Sequence, residues 1–546
     1  MAELTRPVQV PGPAQVPDQA PVPGSAPAPV PGPVPGPAQV SAPGPARAPD
    51  LVVSGRRIVT PDGVRAGHLT IRDGRVTGLH DHDPAPAGTP RIDAGGRYVL
   101  PGLIDSHVHF RTPGLTHKED WEHGSRAAVR GGVTTVVDMP NTLPPTLDEQ
   151  DVLAKAALVH GSSLVDHAFH IGVHPDRPEA LRGLDPRIAT SAKIFMAGHH
   201  TAPTVIRDAG QLRRAFAAAA DADVQLVLHA EDDNVFALLD GWRGEPDAYR
   251  DYAAHRPRSA GIIAVSKVIE LVRVHGTRAH ILHLSSAEEA DLVCAARAAG
   301  LPVTFEVTGH HLSFTDLDTR RLGARTRLSP SIRTQQDQDR LWEAVYEGQV
   351  TTLGSDHAPH TVEEKTRTVS QSPPGLPGVQ ELAVAVWTGM RRRRPHEHPD
   401  TAVTRLVRLL AEGPADLFRL PGKGRLRPGA DADLVLFDAD AHWMLSAHDV
   451  QSKCGWSAYE GWTLTGRVDQ VLRAGRTVYD RATGAFGAYD GRHLTPAAPV
   501  APVAPVPVPV APGPGAVPAG LVTATTTTPT TTTPTIPTPT INPTGA

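Results

Sequence analysis

Cysteine is almost missing from this chain: Cys294 and Cys454 are the only two in 546 residues, and they lie far apart. That excludes a disulfide framework and points to a reducing compartment. Long apolar runs are missing too. None reaches the roughly 18 residues of a membrane-spanning helix, and no basic stretch followed by an apolar one opens the chain as an export signal would. Nor does charge of one sign dominate. A formal net charge of -5 gives no electrostatic argument for nucleic acid or an anionic membrane as partner. The one dense basic run, the four arginines at 391–394, reads as a solvated helix end. The expectation is a soluble, cytoplasmic protein acting on a small molecule.

Proline, by contrast, is abundant, and it gathers at the two ends. Residues 1–49 cycle through Pro, Val, Ala and Gly, and residues 491–546 do the same before turning Thr/Pro-rich. Such segments lack the large apolar side chains that offset ordering entropy, so both are expected to be disordered tails. Residues 50–98 read as short strands with turns, including the hairpin signal Asp73-Gly74. The same texture returns over 426–490, which suggests one small β-sandwich assembled from both flanks. Between them, residues 99–425 alternate strand-like and helix-like segments. Eight strand-like runs, from VLPGLIDSHVHF to VTTLGSDH, give the count of a (β/α)8 barrel. The expected class is therefore α/β.

The most telling stretch is His107-Val108-His109-Phe110-Arg111, which closes an apolar run from 98 to 111. Side chains two apart on a strand share a face, so the imidazoles of His107 and His109 project together, as two ligands of one metal ion must. Four more residues follow, each near the end of its own apolar run: Lys193 in AKIFM, His229 in LVLHAE, His283 in HILHLSS and Asp356 in LGSDHAPH. Strand C-termini are where a parallel barrel presents its catalytic side chains. Taken singly, each histidine is an ordinary hydrogen-bonded rim residue and Asp356 an ordinary turn residue. Jointly, four imidazoles and a carboxylate suit zinc or a similar divalent ion. Lys193 joins such a set only once carbon dioxide has converted its amine to an anionic carbamate able to bridge two metals.

Longer motifs carry a family likeness. PGLIDSHVHFRTPGLTHKEDWEHGSRAAVRGGVTTVVDMPNTLPPT resembles the dihydroorotases of the amidohydrolase superfamily, as do LVLHAEDD, HILHLSSAEEADL, FEVTGHHLSFTD, SDHAPHTVEEK and SKCGWSAYEGW. The likeness covers nearly everything between the tails. It implies two zinc ions per chain, one on His107, His109 and Asp356, the other on His229 and His283, bridged by N6-carboxylated Lys193. It further implies that Arg111 and Asn141, helped by His360, bind a substrate carboxylate, and that the loop 373–378, with Pro374 and Gly375, lines the pocket. The implied reaction is reversible hydrolysis of L-dihydroorotate to N-carbamoyl-L-aspartate in pyrimidine synthesis, with Asp356 as general base turned general acid. A homo-oligomer is expected. Other cyclic amidases, acting on hydantoins, dihydropyrimidines or allantoin, are the alternative activity, and a non-catalytic partner of aspartate carbamoyltransferase the alternative class.

Three departures touch the pocket rather than the metal set. Ser329 stands where relatives carry an Asn, Gly309 where they carry a Pro, and Ala197-Gly198-His199-His200 where small polar residues are usual. Leu282 occupies the place of a further cysteine ligand, so two metals and no third are expected. Glu306 reads as a buried hydrogen-bonding residue.

Overall fold

The computed structural model describes residues 48–198, 204–240, 246 and 248–497. The two predicted tails, and His199 with His200, fall outside this set except for residues 48–49 and 491–497.

Both flanks of the chain enter one sheet. From the N-terminal side come Leu51–Thr60, Gly63–Arg72, Arg75–His80, Arg91–Asp93 and Tyr98–Pro101; from the other come Leu434–Met444, Thr463–Arg473, Arg476–Asp480 and Ala485–Phe486. The predicted hairpin is present: Asp73 and Gly74 take φ of 50° and 73°, and Arg72 pairs with Arg75. Two positive φ angles in a two-residue loop match the twist of the flanking strands. The expected two-sheet sandwich is instead a single nine-stranded sheet. The reason is the antiparallel pairing of Leu434–Phe437 with Tyr98–Pro101, which carries hydrogen bonding without a break from one flank to the other. A separate apolar cluster that includes Val53, Ile58, Leu69, Leu434, Leu436 and Leu472 joins strands of both flanks.

The single buried strand expected over 98–111 is two strands in two sheets. Tyr98–Pro101 belongs to the flank sheet and Leu103–Val108 to the central one. Gly102 makes the crossing, its N–H donating to Asp433 O at 2.7 Å. A Cβ there would sit 2.1 Å from Thr134 Oγ1, so no other residue fits so close a passage. The flank thus extends to 101, past the expected boundary at 98.

All eight expected central strands are present and parallel, alternating with helices. They form a three-stranded sheet, Leu103–Val108, Val133–Asp138 and Asp166–Phe169, and a six-stranded one running from Ile171–Gly172 through Ala192–Phe195, Leu226–His229, Ala279–Ile281 and Val303–Thr308 to Thr352–Gly354. The third expected run is broken at His170 because the chain changes partner there. Asp166–Phe169 pairs with Thr135–Asp138, Ile171–Gly172 with Ala192–Lys193. The His170 ring is buried and reaches Ser106 O at 2.9 Å. Between the last strand and the first there is one bridge, Val108 to His357, with His109 N–H donating to His357 O at 2.8 Å.

The helices between strands follow local rules. Asp120 caps Trp121–Arg130, Ser286 and Glu289 form a reciprocal capping box for Ala287–Ala298, and Gly276 closes Arg258–His275 at φ 70°. They turn Ala127, Val265, Val293 and Leu341 into one core with Val136, Leu228 and Phe305 from the strands. The basic run ends the helix Leu382–Arg393, where cations suit the negative pole of the helix dipole. None of the described helices is long and apolar enough to cross a membrane.

Residues 491–497, assigned from composition to the C-terminal tail, are packed in place. Arg492 holds the Asp166 carboxylate at 2.6 Å, Leu494 N–H donates to His167 O at 2.7 Å, and His493 stacks on His167. Asp166 sits in a buried ionic cluster: Lys423 reaches Asp166 and Asp433 at 2.6 Å each and Asp431 at 3.0 Å, while Arg473 reaches Asp166 at 2.9 Å. Charge and hydrogen-bond partners, together with burial of Leu494 in an apolar cluster that includes Met139, Ala168 and Phe418, fix this segment in place.

Candidate functional site

The C-terminal ends of the central strands surround one cavity. His107, His109, Arg111, Lys193, Phe195, His229, His283, Ser329, Asp356, Pro374 and Gly375 all line it. Every proposed metal ligand from the sequence is therefore brought together, although the positions span some 250 residues of chain. Asn141 and His360 are not among the lining residues. Asn141 Oδ1 accepts from His109 Nδ1 at 2.7 Å. His360 is fully buried behind the wall, its Nε2 donating to Pro374 O at 3.0 Å and its Nδ1 close to Lys118 and Glu364. Both stand one layer back from the place expected of substrate contacts.

Arg111 also arrives by a different route. The strand stops at Val108, and Arg111 takes φ of 61°, so a left-handed turn and not strand alternation aims it inward. His283 and Asp356 are left-handed too, at 41° and 42°. Non-glycine residues rarely adopt this conformation, and its recurrence at three positions around one cavity marks backbone held there by its surroundings.

The hydrogen bonds fix which ring atoms face inward. His109 gives its Nδ1 proton to Asn141, leaving the Nε2 lone pair 3.1 Å from Asp356 Oδ1. His107 bonds Glu306 Oε1 through Nδ1 at 2.7 Å and turns Nε2 to the same Asp356 oxygen at 3.2 Å. Burial holds His109 well below the ordinary histidine pKa and His107 down to about 4, so both rings are neutral. Acceptor atoms that converge without a proton between them repel unless a cation lies among them. The second pair is His229, which gives Nε2–H to Glu231 at 2.9 Å, and His283, whose Nε2 is hydrogen-bonded to His229 Nδ1 at 3.0 Å. Burial lowers both of these rings as well. The donor set therefore fits divalent metal, with Glu306, Glu231 and Asn141 orienting the rings from behind.

Glu306 and Glu231 carry more of the site than their sequence context suggests. Glu306, buried, also accepts from His283 N–H at 3.2 Å, and burial raises its carboxyl to about 8. Glu231 is bound by Arg256 as well as His229, which holds its carboxyl well below the usual range against the effect of burial. An acidic residue two positions after His229 was the only signal available for it.

Two cations complete the cavity. Lys193, 2% exposed, lies with Nζ 4.6 Å from the Phe195 ring centroid, and burial lowers its amine to about 7 against the pull of Asp356 and Glu306. Arg111, also 2% exposed, has Nε and Nη1 buried with no hydrogen-bond partner. Burial lowers its guanidinium to about 10, still charged at neutral pH.

Residues 98–478 match the Amidohydrolase family, and the chain belongs to it. It is 38% identical over 405 residues to a protein named dihydroorotase from Halobacterium salinarum, covering 74% of this chain and 91% of that one. It is 33% identical over 448 residues to a protein named allantoinase from Streptomyces avermitilis, covering 82% and 98%. Among solved structures it is similar to the L-hydantoinase (dihydropyrimidinase) of Arthrobacter aurescens, with a TM-score of 0.77, 28% identity, and coverage of 82% of this chain and 99% of that one. The chain is an enzyme that hydrolyses cyclic amides.

Proposed function

We infer that this cyclic amide hydrolase is a dihydroorotase, interconverting L-dihydroorotate and N-carbamoyl-L-aspartate in pyrimidine synthesis. The observation that carries this reading is Arg111. A buried guanidinium with two unpartnered nitrogens is costly, and the cost is met when an anion fills the cavity beside it. Among the ring substrates named for relatives, dihydroorotate is the one bearing a carboxylate, and a guanidinium fork matches that group. The two central sheets, joined at Val108 and His357, are read as one (β/α)8 barrel with the site at its C-terminal mouth.

His107, His109 and Asp356 would hold one zinc ion and His229 and His283 the other. Lys193 would join them as a carbamate, formed when its amine, whose pKa burial lowers to about 7, attacks carbon dioxide and sheds a proton. When bound, the metal pair supplies an ionised water at neutral pH and polarises the ring carbonyl. Asp356 takes the water's proton as the new carbon–oxygen bond forms, then delivers it to the ring nitrogen as the carbon–nitrogen bond breaks. Arg111 orients the carboxylate, and the backbone at Pro374 and Gly375 flanks the ring, braced by His360. Asn141 acts through His109.

Ser329 favours a second reading, in which the ring is uncharged. Its hydroxyl is engaged by Tyr252 Oη at 3.1 Å and offers no amide to a substrate. Zinc-loaded protein assayed side by side on dihydroorotate, hydantoin, dihydrouracil and allantoin decides between them. The expected result is the highest kcat/KM on dihydroorotate; faster turnover of any uncharged ring would replace this reading by the second. Fewer than one metal ion per chain after loading would favour the non-catalytic alternative.

A further inference from the structure

The opposite ends of the same strands border a second, open cavity, of about 540 Å³, at Gln225, Arg278, Thr304 and Thr351, with residues of 408–417 along its outer side. Four arginines and two carboxylates line it: Arg278, Arg297, Arg408, Arg425, Glu412 and Asp416. Two of the arginines are neutralised. Arg425 forms a double hydrogen bond with Asp416, at 2.6 and 2.7 Å, and Arg278 pairs with Asp223 at 2.9 Å. The other two have no direct ion pair among the described residues, although the Glu412 carboxylate lies near enough to Arg408 to feel its charge. Arg297 donates to the backbone oxygen of Gln349, and neither Arg297 nor Arg408 has an ion pair among the described residues.

The backbone here is also unusual. Arg408–Glu412 is a π-helical turn in which Gly413 N–H returns to Arg408 O. Such turns are rare and concentrate at functional sites. Gly413 allows the turn to lie against the strand that follows Val350, since a Cβ would stand 2.3 Å from Thr351 O. Arg408 lies over Gly348 at the cavity, which Arg297 also lines.

We propose that this cavity binds a small phosphate-bearing molecule of mononucleotide size. Its volume lies in the range of small-molecule sites, roughly 300–1,000 Å³. Guanidinium groups on two walls match the oxygens of a phosphate monoester, and Pro302, Val350 and Leu417 offer an apolar shelf for its organic part. The site is separate from the imidazole-lined cavity and does not depend on which ring that cavity opens.

The test is calorimetric titration of the zinc-loaded full chain with adenosine monophosphate and with adenosine. Saturable binding of the phosphate ester, at least tenfold tighter than adenosine and displaced by inorganic phosphate, is expected. Arg297→Gln and Arg408→Gln should each weaken it about tenfold and their combination more, with melting temperature and turnover unchanged. Arg111→Gln should leave it intact. Equal binding by the double variant, no displacement by phosphate, or loss of binding in Arg111→Gln would each overturn the proposal. A binding loss accompanied by a lowered melting temperature is resolved by Arg408→Lys, which keeps the charge and should restore affinity.

Discussion

Two buried polar clusters in this enzyme are built from the same kinds of side chain and end in opposite states. Around Asp166, three carboxylates lie close enough to hold a metal ion, yet Lys423, Arg473 and Arg492 already meet them. At the other end of the strands, His107, His109 and Asp356 lie equally close, but the imidazoles are neutral and the nearby Arg111 has open hydrogen-bonding positions. The first cluster is complete within the chain and holds the flank sheet, the central strands and residues 491–497 together. The second is incomplete without ligands. Proximity of ligating atoms alone does not distinguish them; what each atom already binds does.

Substitutions can break or sharpen that contrast. The largest effect is expected for Asp356→Ala: kcat on the preferred substrate should fall about 10³-fold or more, with the melting temperature little changed, as for loss of a general acid–base. Stopped assays at saturating substrate check it, and near-normal turnover would remove Asp356 from the proton path. Lys423→Met should do the reverse. It leaves buried carboxylates uncompensated and should cost about 3–5 kcal/mol in denaturant unfolding, with kcat of the folded fraction preserved. Unchanged stability would mean that the cluster is not the clamp described here.

Smaller effects follow. Arg111→Gln should lower kcat/KM for dihydroorotate about 100-fold and for an uncharged ring far less, the difference expected for one charged hydrogen-bonded contact. Glu306→Gln should weaken zinc affinity about 10- to 100-fold, read by competition with a chelator, because His107 loses the carboxyl that orients its ring. Mildest is a pH effect. Burial lowers both His280 and His167 to about 3, beneath the ordinary value near 6.5. Below pH 6.5 the unfolded chain takes up protons that the folded chain refuses. Stability present above that pH is therefore lost as pH falls toward 3, by up to about 1.4 kcal/mol per pH unit per ring. Calorimetric melting between pH 7 and 4 should show the decline, and His280→Gln should flatten it.

The strand-end residues of the site were legible because each follows an apolar run whose burial the composition already demands, and because parallel strands present such ends to one side. The rings of His107 and His109 both turn Nε2 to Asp356 Oδ1, the common side that their two-residue spacing suggests, even though the strand stops at Val108. Features set by distant partners were not legible. The break at His170 depends on a neighbour change that no local pattern encodes, and the fixing of residues 491–497 depends on Asp166, more than 300 residues earlier. Asn141 and His360 were expected in contact with substrate because they lie in the right motifs. The structure sets Asn141 against His109 and His360 against the Pro374 carbonyl, contacts that the motifs do not spell out.

The Asp166 cluster bears on how the protein is made. Asp166 leaves the ribosome 257 residues ahead of Lys423, and Arg473 and Arg492 follow later still. Tyr98–Pro101 likewise waits for Leu434–Phe437 to cover its edge. A nascent chain thus carries an uncompensated acid and an open strand edge until the second flank has been made, and residues 491–497 complete the clamp afterwards.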